Sequence, residues 1–383
     1  MVALQAGQKH QASALHAVVG RGWNLENTVV IDGLTHPHTE MYLETLEALD
    51  EVGSVVLVDP DEGARTAASG QTSKVRGSYA ELGAALEHPA VTHVLVALPN
   101  DRTPAALVQA IEAGKSVFTE KPAARSAAEF DVVVAALRRR PVPFCIAYLN
   151  RGSPQVLQAR DLYRSGAIGR LLSVELRMVT TQVAMRNPGS WLFRQESAGG
   201  GVLAWLGCHW LDALRFVTGE DIVRVQAELA TLGGEPIDVE DAAVLSFRMS
   251  GGAIGSMHAG YLLAVGNPGY RGAGHDITMI LRGTSGAIRY AGGRYEAPLL
   301  LESVAPGWRG ASQRSYEFTA PPSPGYGGLA GLDFFRAFLT ARPGDATPAD
   351  AVDALRLLEV LDAIYAAAAS GHAVDVSRSE IVR

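Results

Sequence analysis

The chain has 383 residues, of which 48% are hydrophobic and 19% charged, and a formal net charge of −7. This length suits two domains, the charge gives no general attraction to nucleic acid or anionic lipid, and no apolar run approaches the ~20 residues that span a bilayer. Residues 1–27 lack the apolar core of a secretory signal and are interpreted as an N-terminal extension. Cys145 and Cys208 lack metal-type or redox spacing, which predicts a reducing, cytoplasmic location.

Residues 28–148 alternate between short apolar runs and helical stretches. The predicted strands are TVVI (28–31), SVVLV (54–58), THVLVA (92–97), SVFTE (116–120) and PFCIAYL (143–149), and the predicted helices are MYLETLEALD (41–50), DEGARTAAS (61–69), YAELGAALEH (79–88), ALVQAIEAG (106–114) and EFDVVVAALRRR (129–140). Such alternation predicts a parallel sheet with helices on both faces, which is a doubly wound Rossmann domain of the dinucleotide-binding type.

After residue 148 the pattern changes to consecutive strands. One helix (156–169) is followed by the strand-like runs 171–179, 221–232, 242–249, 253–263, 277–283 and 286–292, and a last helix (350–370) ends at Gly371. Strands in succession predict an α+β domain over 149–383 with a large, open, mostly antiparallel sheet. We expect this domain to bind the substrate and to bury its open face in a homodimer or homotetramer.

The loop after the first strand carries a reduced form of the dinucleotide fingerprint G-x-G-x-x-G. Only Gly33 is a glycine; Thr35 and His38 occupy the second and third positions. We expect the pyrophosphate to lie at this loop, with His36 and His38 donating to its oxygens in place of the lost backbone contacts. Asp59 ends the second strand, where a carboxylate binds a ribose diol, so NAD is the predicted cofactor and NADP the alternative. Asp59 as a simple helix cap is the other interpretation.

The next two strands end in further polar residues. One is followed by Pro99-Asn100 and the other by Glu120-Lys121-Pro122. Ligands bind at the carboxyl ends of the strands in a doubly wound sheet, so Lys121 is predicted to face the crevice. There its ammonium can donate to a substrate oxygen.

Several motifs together resemble one family. They are ALPN (97–100), AIEAGKSVF (110–118), TEKP (119–122), RGSP (151–154), SGAIG (165–169) and SAGGGVLAWLGCHWLDALRFVTGE (197–220). They resemble the glucose-fructose oxidoreductase / inositol dehydrogenase / MocA (Gfo/Idh/MocA) family. The resemblance implies hydride transfer between NAD(P) and a secondary alcohol or ketone of a sugar, cyclitol or related polyol. It also implies that Glu120-Lys121-Pro122 borders the nicotinamide, that Lys121 is catalytic, and that His209 works beside the substrate hydroxyl.

The sequence departs from the family pattern at two places. The second and third glycines of the phosphate loop are absent, and Trp205 stands where many members have an aspartate four residues before the histidine. Asp212 lies three residues after His209 and shares its helix face, so it either orients His209 and the substrate or is an ordinary surface carboxylate.

Four more residues are predicted to bind substrate because of where they lie. Trp191 and Arg194 precede the glycine-rich segment, and Tyr148 and Arg151 lie at the junction of the two domains, where pockets commonly form. An interdomain salt bridge is the alternative for Arg151, and core packing for Trp191. His258 and His275 are interpreted as structural.

Two alternative interpretations place the chain in other functional classes. The pair His36-Pro37-His38 after a strand is similar to the metal-binding start of an amidohydrolase barrel, although no further ligand series is present and no metal is predicted. A non-catalytic, dinucleotide-binding relative is the second, because the glycine loop is reduced.

Overall fold

The computed structural model describes residues 27–270, 273–292, 297–319 and 323–379. Apart from residue 27, the predicted N-terminal extension lies outside these ranges. In the part of the chain described, no helix combines the length and apolar character needed to cross a membrane.

The N-terminal half forms a six-stranded parallel sheet in the order β3-β2-β1-β4-β5-β6. Its strands are β1 Thr28–Asp32, β2 Ser54–Val58, β3 Val75–Tyr79, β4 Val91–Val96, β5 Ser116–Thr119 and β6 Phe144–Ile146. Its helices are α1 Thr39–Ala48, α2 Glu62–Ser69, α3 Leu82–Leu86, α4 Thr103–Glu112 and α5 Ala127–Arg139. Every residue of β1 and β2 is buried, as expected for a parallel sheet covered on both faces.

This strand order fixes where a ligand binds. The chain runs outward from β1 through β2 to β3, then returns to place β4 on the other side of β1. The order reverses between β1 and β4, so the crevice lies at the carboxyl ends of these two strands. The predicted Rossmann domain is confirmed.

The second sheet has nine strands in the order β14-β13-β12-β11-β7-β10-β9-β8-β15. They are β7 Leu171–Thr181, β8 Ile222–Ala230, β9 Ala242–Met249, β10 Ile254–Leu263, β11 His275–Gly283, β12 Gly286–Gly292, β13 Leu299–Ser303, β14 Gln313–Tyr316 and β15 Val374–Asp375. All neighbours are antiparallel except β7 and β10. One face is covered by α6 Pro154–Arg164 and α10 Ala351–Ser370. The predicted open, mostly antiparallel sheet is therefore confirmed.

The C-terminal part of the chain returns to the first sheet. Helix α9, Gly328–Leu339, places Phe335 on Phe118 of β5 with ring centroids 4.2 Å apart, and Phe338 packs against the same ring at 5.5 Å. The N–H of Ile146 in β6 donates to the carbonyl of Ala349 at 3.0 Å. The last fifth of the chain thus completes the core of the first half.

Strand β3 and helix α9 were not predicted. The sequence of β3, VRGSY, alternates between half-buried and exposed residues at the sheet edge, so it has no apolar run to mark it. Helix α9 begins in the glycine-rich segment GYGGLAG, which is typical of a loop. Its helical state depends on the aromatic contacts with the first sheet, and these are not visible in the sequence.

Candidate active site

The loop after β1 begins with a turn that requires glycine. Gly33 has a φ of +99°, and a Cβ built there would lie 2.2 Å from the carbonyl oxygen of Ala97. Its N–H donates to the carbonyl of Val58 at 3.1 Å. The one retained glycine of the fingerprint therefore makes the tight turn that carries the loop across the carboxyl end of β4.

Asp59 fastens this loop to the end of β2. Its Oδ2 accepts from the N–H of Leu34 at 2.8 Å and its Oδ1 from the N–H of Asp61 at 2.9 Å. Helix α2 is capped by Asp61, whose carboxylate accepts from Gly63, so Asp59 is not the cap. Its binding of a ribose stays a prediction.

A second carboxyl lies beside it and was missed from the sequence. Asp32 ends β1 and is 5% exposed. Burial, followed by the charge of Asp59, raises the pKa of Asp32 to about 7, although Arg102 acts in the opposite direction. The only signal was a charged residue ending an apolar strand directly before Gly33.

His36 is a buried hydrogen-bond donor in the middle of the loop. Its Nδ1 accepts from the N–H of His38 at 3.1 Å, so the ring proton of the neutral form is on Nε2. Burial lowers the pKa of His36 to about 3, which keeps the ring neutral. Nε2 has no hydrogen-bond partner among the described residues. With Thr35, His36 lines a cleft of about 520 Å³, so the loop offers a donor suited to an acceptor such as a phosphate or amide oxygen.

Glu120, at the carboxyl end of β5, is the centre of a buried network. Its Oε1 lies 2.7 Å from Nδ1 of His38 and accepts from the hydroxyl of Tyr42, and its Oε2 accepts from the N–H of Lys121 at 3.1 Å. Burial raises the pKa of Glu120, but His38, His36 and Lys121 outweigh it and hold this pKa well below its ordinary value. Because the carboxylate is ionised, Nδ1 of His38 is the donor in that pair.

Lys121 is covered by Trp205. The ammonium donates to the carbonyl of Trp205 at 2.7 Å and lies 3.4 Å from the centroid of its indole ring. Lys121 is only 1% exposed. A cation held by a carbonyl and an aromatic face keeps its charge at low solvation, so Lys121 supplies positive charge from beneath the ring of Trp205.

The glycine-rich segment before Trp205 packs without side chains. A Cβ at Gly201 would lie 1.9 Å from the carbonyl oxygen of Glu240. The buried carboxylate of Glu240 accepts from the N–H groups of Gly201 and Leu203. These contacts hold the π-helical turn Leu203–Gly207 that carries Trp205 and leads into α8, Cys208–Thr218.

A cavity of about 490 Å³ is lined in part by Trp205. The side chains that line it include those of His38, Arg186, Trp205, Tyr270, His275 and Tyr326. The ring of His38 stacks on Trp205 and lies 4.2 Å from that of Tyr326. The cavity is therefore lined mainly by aromatic rings, with a few polar groups among them, as in many small-molecule sites.

His209 lies in a smaller, adjoining space. It lines a cavity of about 30 Å³ that also includes Asn150, His275 and Tyr326, so the two cavities share walls. Its ring is 6.4 Å from that of Tyr148, edge to face. His209 is half-buried and near the larger cavity without lining it.

Arg151 and Asp212, both predicted to bind substrate, bind each other. Nε and Nη2 of Arg151 donate to the two carboxylate oxygens of Asp212 at 2.8 and 2.6 Å, and Nη1 donates to Asp353 at 2.8 Å. Burial lowers the pKa of Arg151, but the two carboxylates hold it above its ordinary value. We interpret the group as structural. The salt bridge lies within the predicted second domain and is not the interdomain one expected as the alternative for Arg151, and Asp212, which is 0% exposed, is not a surface carboxylate.

The other predicted site residues lie around this centre. The ring of Trp191 is 5.8 Å from that of His36, whereas Arg194 donates to the carbonyl of Pro236. The side chain of Asn100 donates to the carbonyl of Ala198 at 2.7 Å. Pro99 and Pro122 are buried. Their roles in binding stay predictions.

The His-x-His pair does form a compact cluster. One ligand atom each of His36, His38 and Glu120 lie within 4.8 Å of one another. Nδ1 of His36 already accepts from the N–H of His38, and Nδ1 of His38 is already paired with Glu120. The parallel sheet is open and six-stranded, so the alternative of an amidohydrolase barrel is wrong.

Comparison with known proteins agrees with this architecture. Residues 27–148 match the model described as "Oxidoreductase family, NAD-binding Rossmann fold", and residues 156–289 match that of the "GFO/IDH/MocA C-terminal domain". A levoglucosan dehydrogenase of Pseudarthrobacter phenanthrenivorans is 30% identical, with 76% of this chain and 81% of that protein covered. The chain belongs to the Gfo/Idh/MocA family of oxidoreductases. Its N-terminal domain is of the NAD-binding type.

Other members of this family are similar over most of their length. The rhizopine catabolism protein MocA of Rhizobium meliloti is 27% identical, covering 82% of this chain and 86% of that protein. A solved structure of levoglucosan dehydrogenase in complex with NADH and L-sorbose has a TM-score of 0.78 at 25% identity, covering 92% of this chain and 99% of that chain.

Sequence reasoning missed several residues of the larger cavity. Tyr270 and Tyr326 lie in glycine-containing loops, and Arg186 follows a short helical turn, so none had a motif around it. His275, interpreted as structural, lines both cavities. Only the three-dimensional fold brings these segments together.

Proposed function

We propose that this protein transfers hydride between NAD and a secondary alcohol or ketone of a sugar, cyclitol or related polyol, bound in the 490 Å³ cavity. The observation that carries this is the position of the cavity. It is lined by Trp205, whose indole also covers the ammonium of Lys121 of the Glu-Lys-Pro turn, and by His38 of the phosphate loop.

The names of the relatives support the substrate class. Besides levoglucosan dehydrogenase, they include a 1,5-anhydro-D-fructose reductase of Ensifer adhaerens, 26% identical over 77% of this chain and 91% of that protein. Aromatic walls such as Trp205, Tyr270 and Tyr326 suit the C–H faces of a sugar ring, and Arg186 and His275 suit its hydroxyls.

The residues of the phosphate loop fit a dinucleotide. The turn at Gly33 leaves no room for a Cβ. His36, whose buried Nε2–H has no partner among the described residues, is one of the residues that line the adjoining cleft. We assign the cofactor to Gly33, Thr35, His36, His38, Asp59, Pro99, Asn100 and the turn Glu120-Lys121-Pro122. The cofactor accepts or supplies the hydride, and the carboxylates of Asp32 and Asp59 disfavour the extra phosphate of NADP by repulsion.

Lys121 and His209 are assigned the catalytic support. Lys121 stabilises the alkoxide that forms on the substrate by its positive charge. His209 lines the smaller cavity, which shares walls with the substrate cavity. We assign it to orienting the substrate or relaying a proton. The ring of Tyr148 lies edge to face with that of His209, and the ring of Trp191 lies edge to face with that of Trp205.

The open face of the nine-stranded sheet supports a homodimer or homotetramer. Val244 of β9 and Ile254 of β10 are 55% and 57% exposed, and apolar side chains on an open sheet are typical of a subunit interface. The division at residue 148 into a cofactor domain and a substrate domain, and a cytoplasmic location, belong to the same proposal.

Titration with NADH and NADPH, followed by nicotinamide fluorescence and thermal stabilisation, tests the function first. We expect preferential binding of NADH and, on a panel of sugars and cyclitols, turnover of at least one compound. Tight NADH binding without turnover on any polyol or ketone would instead favour a non-catalytic relative, for which the covered ammonium of Lys121 is the supporting observation. Binding of neither nucleotide would overturn the proposal.

A further inference from the structure

We propose that His38, positioned by Glu120, is the residue that exchanges the proton with the substrate hydroxyl. This inference rests on the proposed function. His38 occupies the third glycine position of the fingerprint, so the phosphate loop of this chain contributes a side chain to the substrate cavity.

The tautomer of His38 leaves Nε2 as the nitrogen that can accept a proton. Since the ionised Glu120 lies 2.7 Å from Nδ1, the proton is on Nδ1 and the lone pair of the neutral ring is on Nε2.

The ring of His38 is held in one orientation. The indole of Trp205 stacks on it with a centroid distance of 5.0 Å and an angle of 28°, and the ring of Tyr326 lies on it at 4.2 Å. The hydroxyl of Tyr42 and the N–H of Lys121 fix Glu120 in turn. A base held by packing and by a carboxylate is preorganised for proton transfer.

The position of Lys121 also favours His38 as the residue that exchanges the proton. Its ammonium is bonded to the carbonyl of Trp205 and covered by the indole, and it does not line the cavity, whereas His38 does. The same indole stacks on His38.

The proton and the electrons balance in a simple way. In oxidation the O–H bond of the carbinol breaks and its proton goes to Nε2 of His38. The C–H electron pair leaves as hydride to the nicotinamide, and the C=O bond forms. The imidazolium is stabilised by Glu120. Reduction reverses each transfer.

The pH dependence of His38 is set by its neighbours. The titratable or charged groups that face it or line its cavity are His36, Tyr42, Glu120, Lys121, Arg186, Tyr270, His275, Tyr326 and Asp333. Glu120 is in hydrogen-bond contact with the ring. Loss of its charge lowers the affinity of the ring for a proton.

The test is the pH profile of kcat/KM for oxidation by the holoenzyme, with NADH affinity measured on the same samples. We expect His38→Gln to lower kcat/KM by roughly 10²–10⁴-fold. We expect Glu120→Gln to move the rising limb of the profile to lower pH by about one unit or more. Lys121→Met should lower the rate without moving the limb to lower pH, because it removes a positive charge near the ring. His93→Gln, which removes another buried histidine of the same sheet, is the matched control and should change neither.

The outcomes separate the two proposals. A wild-type protein without turnover overturns the proposed function. Turnover by wild type with an unchanged profile in His38→Gln and Glu120→Gln overturns the role of His38 alone. Should both variants unfold, ring titration of wild type by histidine NMR decides. The pKa of the histidine ring whose Nδ1–H is hydrogen-bonded to a carboxylate must lie within about one pH unit of the midpoint of the rising limb of the kcat/KM profile. A larger difference overturns the inference.

Discussion

At the scale of single residues, the covered ammonium of Lys121 gives the first prediction. Lys121→Met keeps the length of the side chain but removes its charge and its bond to Trp205. We expect kcat/KM to fall by roughly 100-fold or more, with NADH affinity changed less than about threefold. Steady-state kinetics beside fluorescence titration measure both, and near-normal turnover would contradict the role of the charge.

Asp32 gives a prediction about pH. Its pKa of about 7 in the folded protein lies above its ordinary value of 3.8. The proton is therefore bound more tightly in the native state. The resulting stability is fully present below about pH 4 and is lost as the pH rises through 7. Asp32→Asn does not ionise, so it should gain on wild type between pH 4 and pH 8 by up to roughly 4 kcal/mol, at about 1.4 kcal/mol per unit.

Urea unfolding at pH 4, 6 and 8 measures this difference. Asp131→Asn, at an exposed site on α5, supplies the baseline for removing one carboxyl. A difference between Asp32→Asn and wild type that stays constant over this range would show that Asp32 ionises as an ordinary surface carboxyl does.

At the scale of elements, Arg151 and Asp212 join a short 3₁₀ turn to α8, and Asp353 adds α10. Arg151→Met leaves the buried Asp212 without its paired cation, and we expect it to cost about 3–5 kcal/mol. The double variant Arg151→Met/Asp212→Leu should cost less than the sum of the two single variants. Denaturant unfolding of all four proteins gives the coupling energy, and strict additivity would contradict the interpretation as a structural pair.

The elements also show how far the sequence could predict the fold. The strands β1, β2, β4 and β5 are recognisable because each contains a short apolar run. Helix α10 is recognisable because its start and its stop at Gly371 are both marked. Strand β3 and helix α9 have no such pattern, since one is a half-exposed edge and the other depends on packing against Phe118.

The site was predictable where the backbone dictates it. Gly33, Asp59 and Lys121 lie at carboxyl ends of strands or directly after them, and topology alone brings these ends together. The pairing of Arg151 with Asp212 and the stacking of His38 on Trp205 join segments distant in the chain. Side-chain direction decides such contacts, and a single sequence does not reveal it.

At the scale of the whole molecule, the two halves are not separable. Helix α9 covers an aromatic surface of the first half, formed by Tyr42 of α1 and Phe118 of β5. The covering rings are those of Phe334, Phe335 and Phe338. We expect residues 27–148 expressed alone to expose this face and to aggregate. Size-exclusion chromatography measures this. Fusing residues 323–379 to the fragment through a flexible linker is the matched rescue, and a monomeric, NADH-binding fragment without them would contradict the expectation.

This chain return has a consequence for biosynthesis. Domains are usually completed in the order in which the ribosome makes them. Here the nascent first half emerges with its core unfinished, because the helix that finishes it follows the long strands of the second sheet in the chain. The first domain therefore matures only after this helix has left the ribosome, and until then its aromatic surface is a target for chaperones.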